Sequence, residues 1–214
     1  MIVSFKHSFI FIAIPKTATH SFRTALRPHL GKNDWEQCVL FEKKFFPVEA
    51  IKQIGHGHIS CQEIRPFLLP DVWNSYFRFC TVRNPYDRFV SFAYFMNRAN
   101  QRMKDDPLGT MKKTVLDKQS ANKVLFRPQH EFVTDQAGQL LVDFICRFES
   151  LQKDFDHVCD RLKLPKTDLP TVNTAAKRTD HSHYDQELKE MVQSVFQKDF
   201  DLFNYGTDLE ENEV

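Results

Sequence analysis

Two separate segments of the chain place a cation and hydroxyl groups directly after an apolar run. The runs cover residues 9–14 and 77–82, and a proline follows each of them, at Pro15 and Pro85. A buried strand that passes into a helix presents backbone N–H groups at the helix start, and these groups bind phosphate-like anions. The two segments therefore predict two anion sites, and a ligand with two separate anionic ends.

The first segment carries one ammonium and three hydroxyl groups at the predicted turn between strand and helix, on Lys16, Thr17, Thr19 and Ser21. Together with backbone N–H groups, these side chains can surround a phosphate or a sulfate. The segment lacks the Gly-x-x-x-x-Gly-Lys-Ser/Thr pattern of a Walker A loop, so it does not predict binding of ATP with magnesium. Taken alone, it is equally compatible with an ordinary helix start whose lysine points into solvent.

The second segment favours the anion-site interpretation. Arg83 stands at the end of the predicted strand, and Ser91 follows in the next predicted helix. A guanidinium binds phosphate through two parallel hydrogen bonds, so this pair predicts the second phosphate site. We expect Pro85 to force the turn and Asp87 to cap the helix. Arg88 is the alternative arginine, and we expect it to be a surface cation paired with an acid.

The elements that must position these residues alternate between strands and helices. Apolar runs predict strands over 3–14, 54–59, 77–82 and 142–148. Helical patterns predict helices over 21–29, 88–102, 151–162 and 185–200. We expect the polar segment 105–123 to be an insertion, either mobile or helical. Such alternation is typical of an α/β fold whose mostly parallel sheet is covered by helices on both sides.

Composition indicates an ordinary globular chain without a polyanion-binding surface. The 214 residues predict one domain over 1–207 and an acidic tail over 208–214 that frays. The formal net charge is +1, so we expect no nucleic-acid partner. No ligand cluster in the sequence suggests a metal.

Cysteine usage and the one apolar stretch bear on the compartment. The five cysteines include no Cys-x-x-Cys pair, which excludes a zinc knuckle. Because they are scattered and odd in number, a reducing environment is their simplest explanation. The run 9–14 is too short to cross a membrane. We therefore expect a cytoplasmic protein with no membrane contact. The Golgi lumen is the alternative if the sequence is a piece of a longer, anchored protein.

The two anion segments resemble the donor-binding motifs of the sulfotransferases. Residues 15–21, Pro-Lys-Thr-Ala-Thr-His-Ser, are similar to the family's 5′-phosphosulfate loop, and residues 82–91 are similar to its 3′-phosphate motif. The resemblance extends to the carbohydrate branch that includes the chondroitin, dermatan and heparan 2-O enzymes. Further matches to that branch are Arg127-Pro128-Gln129, residues 142–149, Asn173, Lys177-Arg178, Asp199-Phe200 and Phe203-Asn204-Tyr205.

This resemblance implies a P-loop-NTPase-like three-layer fold and a donor with two anionic ends, 3′-phosphoadenosine 5′-phosphosulfate (PAPS). It implies donor contacts from Lys16, Thr17, Ala18, Thr19, His20, Ser21, Arg83, Ser91 and Arg178. Lys16 would also stabilise the leaving phosphate, and no metal is required. Many relatives have a glycine where this chain has Ala18-Thr19-His20, so His20 either crowds the loop or adds a contact. The lack of an anchor suggests a bacterial-type, soluble member of the branch.

The general base that the resemblance implies lies in Gly55-His56-Gly57-His58-Ile59. This pattern is similar to that of the 2-O enzymes, in which a histidine here takes the acceptor proton. Two histidines two positions apart in a strand point the same way, and an unperturbed pKa of about 6.5 suits proton abstraction. We assign the base to His58, with His56 in support. The alternatives are two structural histidines bonded to the backbone, or a weak metal pair.

Together these features predict transfer of a sulfuryl group to a hydroxyl, which we expect to belong to a carbohydrate. We expect Gln129 and His130 to face this acceptor. Three alternatives remain open at this point: sulfation of a non-carbohydrate hydroxyl, a P-loop-like nucleotide phosphotransferase, and a non-catalytic glycan- or nucleotide-binding protein. The missing Walker A glycines argue against the phosphotransferase.

Overall fold

The computed structural model describes residues 1–36, 48–99, 101–170 and 181–209. The chain divides into two compact units. The first unit comprises Met1–Val82 and Glu131–Val172, and the second comprises Arg83–His130 and Asn173–Val214. The division of the sequence into one domain over 1–207 and a tail stays a prediction, and residues 210–214 of that tail lie outside the described residues.

The first unit contains a five-stranded sheet in the order β3-β1-β2-β4-β5. Its strands are β1 Ile2–Ser4, β2 Phe9–Ile12, β3 Trp35–Glu36, β4 Phe77–Val82 and β5 Phe144–Arg147. Strand β4 runs parallel to β2 and β5, whereas β1 is antiparallel to both of its neighbours, β2 and β3. Four of the strands therefore point one way. The predicted mostly parallel sheet is confirmed.

Two strand predictions are wrong in detail. The single strand predicted over 3–14 is an antiparallel hairpin of β1 and β2, because the polar residues 6–8 interrupt the apolar run and turn the chain at Ser8, whose φ is 53°. The carboxylate of Asp34 stabilises this turn by accepting the N–H groups of Phe5 and Lys6. Residues 54–57 form bends and residues 58 and 59 have no regular structure, so the predicted strand over 54–59 is absent; the N–H of His56 donates to the carbonyl of Ile54 at 2.7 Å.

Helices cover both faces of the sheet. On one face, Phe11 and Phe79 pack against Phe22 of α1, and Phe22 packs against Phe155 of α10 with ring centroids 5.1 Å apart. On the other face, the guanidinium of Arg78 in β4 lies 5.1 Å from the Trp73 ring of α4. The helices of this unit are α1 Thr19–Leu26, α2 Glu49–Lys52, α3 Cys61–Ile64, α4 Pro70–Ser75 and α10 Leu151–Leu162. This arrangement confirms the layered α/β fold.

The second unit is helical around an aromatic core. Its helices are α5 Pro85–Met96, α6 Arg102–Asp105, α7 Pro107–Leu116, α8 Lys118–Ala121 and α11 Gln186–Phe203. The short helix α9, His130–Val133, covers the boundary between the two units along the chain. Tyr86 of α5 packs on Phe200 of α11 with centroids 4.9 Å apart. The insertion predicted over 105–123 is helical, and α5 begins earlier than predicted because Pro85 suits a first helical position.

Candidate functional site

The first predicted anion segment forms a strained turn between β2 and α1. Lys16 and Ala18 both adopt left-handed backbone conformations, with φ angles of 68° and 63°. The carbonyl of Ala18 accepts the N–H of Ser21 at 3.0 Å and so starts α1. Among the described residues, no side chain caps this helix, and its first turn holds no acid. Its N-terminal N–H groups and the positive end of its dipole can therefore bind an anion.

Two of the predicted hydroxyl ligands lie at the start of α1, whereas the third takes part in the fold. Thr19 and Ser21 are in the first turn and mostly buried. The hydroxyl of Thr17 donates to the carbonyl of Ile14 at 2.9 Å, so it accepts from the hydroxyl of Thr81 at 2.6 Å. This pair ties the turn to the end of β4. Thr17 would therefore reach an anion through its backbone N–H rather than its hydroxyl.

The histidine pair is bonded to the end of β2. Nδ1 of His58 lies 2.7 Å from the carbonyl oxygen of Ala13. Since a carbonyl only accepts, Nδ1 carries the proton and Nε2 keeps its lone pair. The N–H of His58 donates to Nδ1 of His56 at 3.3 Å, so the His56 proton is on Nε2 in the neutral ring. The two rings thus hold opposite tautomers, and His58 is the one able to accept a proton at Nε2.

Arg23 is a site residue that the sequence interpretation missed. It is 3% exposed, and its Nη2 donates to the carbonyl of Gly57, between the two histidines, at 2.8 Å. A signal was available, because Arg23 lies four residues after Thr19 and therefore on the same face of α1. The turn before α1, the helix itself and the histidine pair are thus joined by two hydrogen bonds to backbone carbonyls.

Burial and charge determine the protonation of this cluster. Burial, followed by the charge of Arg23, lowers the pKa of His58 to about 3, although its bond to Ala13 acts in the opposite direction. Loss of surrounding water, and then the charges of Arg23 and Lys16, also lower the pKa of His20. Both rings are therefore neutral at neutral pH. The positive charges around them include those of Arg23, Lys16 and Arg27 and the N-terminal ammonium of Met1, which also donates to the carbonyl of Gly57 at 2.7 Å.

In the second unit, Gln129 fixes the backbone of Arg83. The N–H of Arg83 donates to Oε1 of Gln129 at 2.9 Å, and Nε2 of Gln129 donates to the Arg83 carbonyl at 2.8 Å. Gln129 is fully buried, so the prediction that it faces an acceptor is wrong. The buried carboxylate of Asp199 in turn accepts the backbone N–H groups of Gln129 and His130, and it bonds Nδ1 of His130 at 2.7 Å.

Two predictions about α5 also need correction. Asn84, not Asp87, caps the helix, because its side chain accepts the N–H of Tyr86 at 2.9 Å. Arg88 is buried rather than a surface cation. It donates to the backbone carbonyls of residues 125 and 127, and burial lowers its pKa to about 10, so it stays charged. Ser91 lies seven residues after the cap, close to a whole number of turns, and is half-buried.

The structure thus brings most of the predicted site residues together in the first unit, namely Lys16, Thr17, Ala18, Thr19, His20, Ser21, His56 and His58. Arg83 and Ser91 lie in the second unit. Arg178 lies outside the described residues.

Within the described part of the chain, no group of histidine, cysteine or acidic side chains is arranged to hold a metal ion. A membrane-spanning helix is likewise not found among the described helices.

Comparison with known protein families identifies the chain. A sequence model of the sulfotransferase family matches residues 1–206. The chain belongs to the sulfotransferase family. Membership makes it a transferase of the sulfotransferase type and implies PAPS as the donor that the family uses in general. No curated protein and no solved structure matches the chain.

The left-handed conformation of Ala18 gives a stability prediction. Ala18→Gly should raise the free energy of unfolding by up to about 1 kcal/mol, because glycine adopts a positive φ without strain. The matched control is Ala25→Gly in the last turn of the same helix, which should lower the free energy of unfolding by up to roughly 0.5–1 kcal/mol. Urea unfolding of both variants tests this. Equal destabilisation by the two glycines would contradict the strain at Ala18.

The environment of His58 gives a titration prediction for the free protein. The imidazole signals of His58 should stay constant by NMR from pH 8 to pH 5, because its pKa of about 3 keeps the ring neutral throughout. Arg23→Gln should raise this pKa, since the variant removes a positive charge while keeping a donor for Gly57. A His58 signal that titrates near the ordinary value of about 6.5 in the unmodified protein would contradict the burial described here.

Proposed function

We propose that this protein transfers the sulfuryl group of PAPS to a hydroxyl of a carbohydrate. The observation that carries the proposal is the joining of the anion turn to the histidine pair. Ala13, which lies between β2 and the turn, bonds His58, and Arg23, from the helix after the turn, bonds Gly57. A cationic anion site and a neutral imidazole with an open Nε2 are the two components that sulfuryl transfer needs.

The residues at the start of α1 fit the 5′-phosphosulfate end of the donor. Uncapped N–H groups of the helix, the ammonium of Lys16 and the hydroxyls of Thr19 and Ser21 supply hydrogen bonds and positive charge. Ala18 and Thr17 contribute backbone N–H groups, and His20 borders the turn. We assign Lys16 to the oxygen that bridges phosphorus and sulfur, where negative charge grows as the bond breaks.

The chemistry divides between the donor and two side chains. PAPS supplies an activated sulfuryl group. As the acceptor oxygen bonds to sulfur and the bond from sulfur to the bridging oxygen breaks, Nε2 of His58 takes the hydroxyl proton and Lys16 balances the leaving phosphate. His56 supports the position of His58, because its Nδ1 accepts the backbone N–H of that residue. A pKa of about 3 makes His58 a weak base in the free protein, but a bound anion stabilises the imidazolium and raises that pKa.

We assign Arg83 and Ser91 to the 3′-phosphate, together with Arg178 from the sequence motif. Gln129 supports the assignment of Arg83, because it holds both backbone groups of that residue. The guanidinium is therefore offered from a fixed backbone, which lowers the entropic cost of binding. A nucleotide with a 3′-phosphate would bind more tightly than one without it.

The acceptor and compartment are also proposals. The resemblance to the 2-O carbohydrate enzymes favours a sugar hydroxyl. The described cysteines at positions 61, 80, 146 and 159 are free and buried, which supports a reducing compartment, and we propose the cytoplasm.

A transfer assay with His58→Ala tests the proposed function. With PAPS and a panel of saccharides, the variant should lose about 10²–10⁴-fold in kcat, because general base catalysis typically contributes that much. Its donor affinity should stay within about twofold of the unmodified protein, since the proton acceptor adds little to donor binding.

Two further variants complete the transfer assay. His157→Gln, an exposed histidine on α10, is the control and should behave as the unmodified protein. Arg83→Ala should show the opposite pattern, with weaker donor binding as the main defect. Full activity of His58→Ala would exclude it as the base, and no transfer to any saccharide by the unmodified protein would contradict the acceptor class.

A further inference from the structure

One face of α5 carries a carboxylate next to the hydroxyl that we assign to the 3′-phosphate. Asp87 and Ser91 are four residues apart on this helix, and Tyr94 follows three residues later. With about 3.6 residues per turn, all three side chains lie on one face, and neighbours at this spacing have Cβ atoms about 5–6 Å apart. A phosphate bound at Ser91 would therefore lie close to the carboxylate of Asp87.

A histidine-containing turn, residues 181–183, lies along this face. Nε2 of His181 lies 2.5 Å from Oδ1 of Asp87, and Nε2 of His183 lies 3.5 Å from the Tyr94 hydroxyl. The side chains of His181 and Asp87 are only 21% and 18% exposed. All of these residues belong to the second unit. The turn thus passes Ser91 with one histidine on either side of it along the helix.

Among the described residues, His181 is the side chain that hydrogen bonds the carboxylate of Asp87. Tyr184, which also lies near Asp87, donates its hydroxyl to the carbonyl of Tyr86 and stays neutral, because burial and then Asp87 raise its pKa well above the ordinary value. The ammonium of Lys112 bonds Asp185 and Glu187 instead. Compensation of the Asp87 charge therefore depends on His181.

A carboxylate without such compensation would oppose phosphate binding at Ser91. Two like charges about 6 Å apart repel substantially at the effective dielectric of a protein surface, and salt screens a partly buried charge poorly. We propose that His181 is a positioning residue for the 3′-phosphate. By hydrogen bonding Oδ1 of Asp87, its imidazole weakens the negative potential on the face of α5 that carries Ser91. This inference rests on the proposed function, because it concerns the same donor.

A double-variant experiment separates this electrostatic role from a structural one. Calorimetry measures binding of 3′-phosphoadenosine 5′-phosphate, and of adenosine 5′-phosphate as the matched control that lacks the 3′-phosphate. His181→Ala should weaken the first nucleotide about tenfold or more and leave the second unchanged. Asp87→Asn should bind the first nucleotide as tightly as the unmodified protein or more tightly. The double variant His181→Ala/Asp87→Asn should recover the affinity lost by His181→Ala.

The outcomes distinguish this inference from the proposed function. If the unmodified protein fails to bind 3′-phosphoadenosine 5′-phosphate, the donor assignment falls and this inference with it. If the unmodified protein binds and Arg83→Ala weakens binding, the donor assignment stands, and the His181 variants decide. No loss in His181→Ala, equal loss for both nucleotides, or no recovery in the double variant would overturn the role of His181. If His181→Ala fails to fold, Asp87→Asn decides by itself: weaker binding of 3′-phosphoadenosine 5′-phosphate by this variant would overturn the role of His181.

Discussion

The hydrogen bond between Nδ1 of His58 and the carbonyl of Ala13 is the contact on which the candidate site depends. It fixes the tautomer of the ring, and because Ala13 directly follows β2 and leads into the anion turn, it also fixes the ring to that turn. The segment around His58 forms bends rather than regular structure. Its position therefore comes from individual contacts, chiefly this bond and the one from Arg23 to Gly57.

Buried arginines are a feature of both units. Arg23, Arg83 and Arg88 are each only 2–3% exposed. A buried charge requires hydrogen bonds or an opposite charge. Arg23 and Arg88 donate to backbone carbonyls, and the buried carboxylate of Asp199 also opposes the charge of Arg88. The charge of Arg23 beside the first anion turn is therefore part of the fold itself, and an anionic ligand bound there would gain from it.

Regular elements and motif positions were predictable from the sequence where periodicity was strong. The strand Phe77–Val82 and the helix Leu151–Leu162 have the predicted bounds, since continuous apolar runs and helical spacing leave few alternatives. The hairpin at residues 2–12 was not predicted, because its turn depends on Asp34, a residue distant in sequence. The roles of Gln129 and Arg88 were missed for a similar reason: long polar side chains suggest solvent, and only tertiary contacts show that they satisfy buried backbone groups.

The functional residues show the same contrast between local patterns, which the sequence reveals, and tertiary contacts, which it does not. The anion turn could be recognised because local residue types create it, whereas the hydrogen bond between the hydroxyls of Thr17 and Thr81 could be seen only in the structure.

The site is most directly tested by calorimetry of 3′-phosphoadenosine 5′-phosphate without magnesium, with ADP as the comparison. The account predicts tight binding of the first nucleotide and much weaker binding of ADP, because ADP lacks a 3′-phosphate for Arg83. Equal binding of the two, or binding of ADP only when magnesium is added, would contradict it.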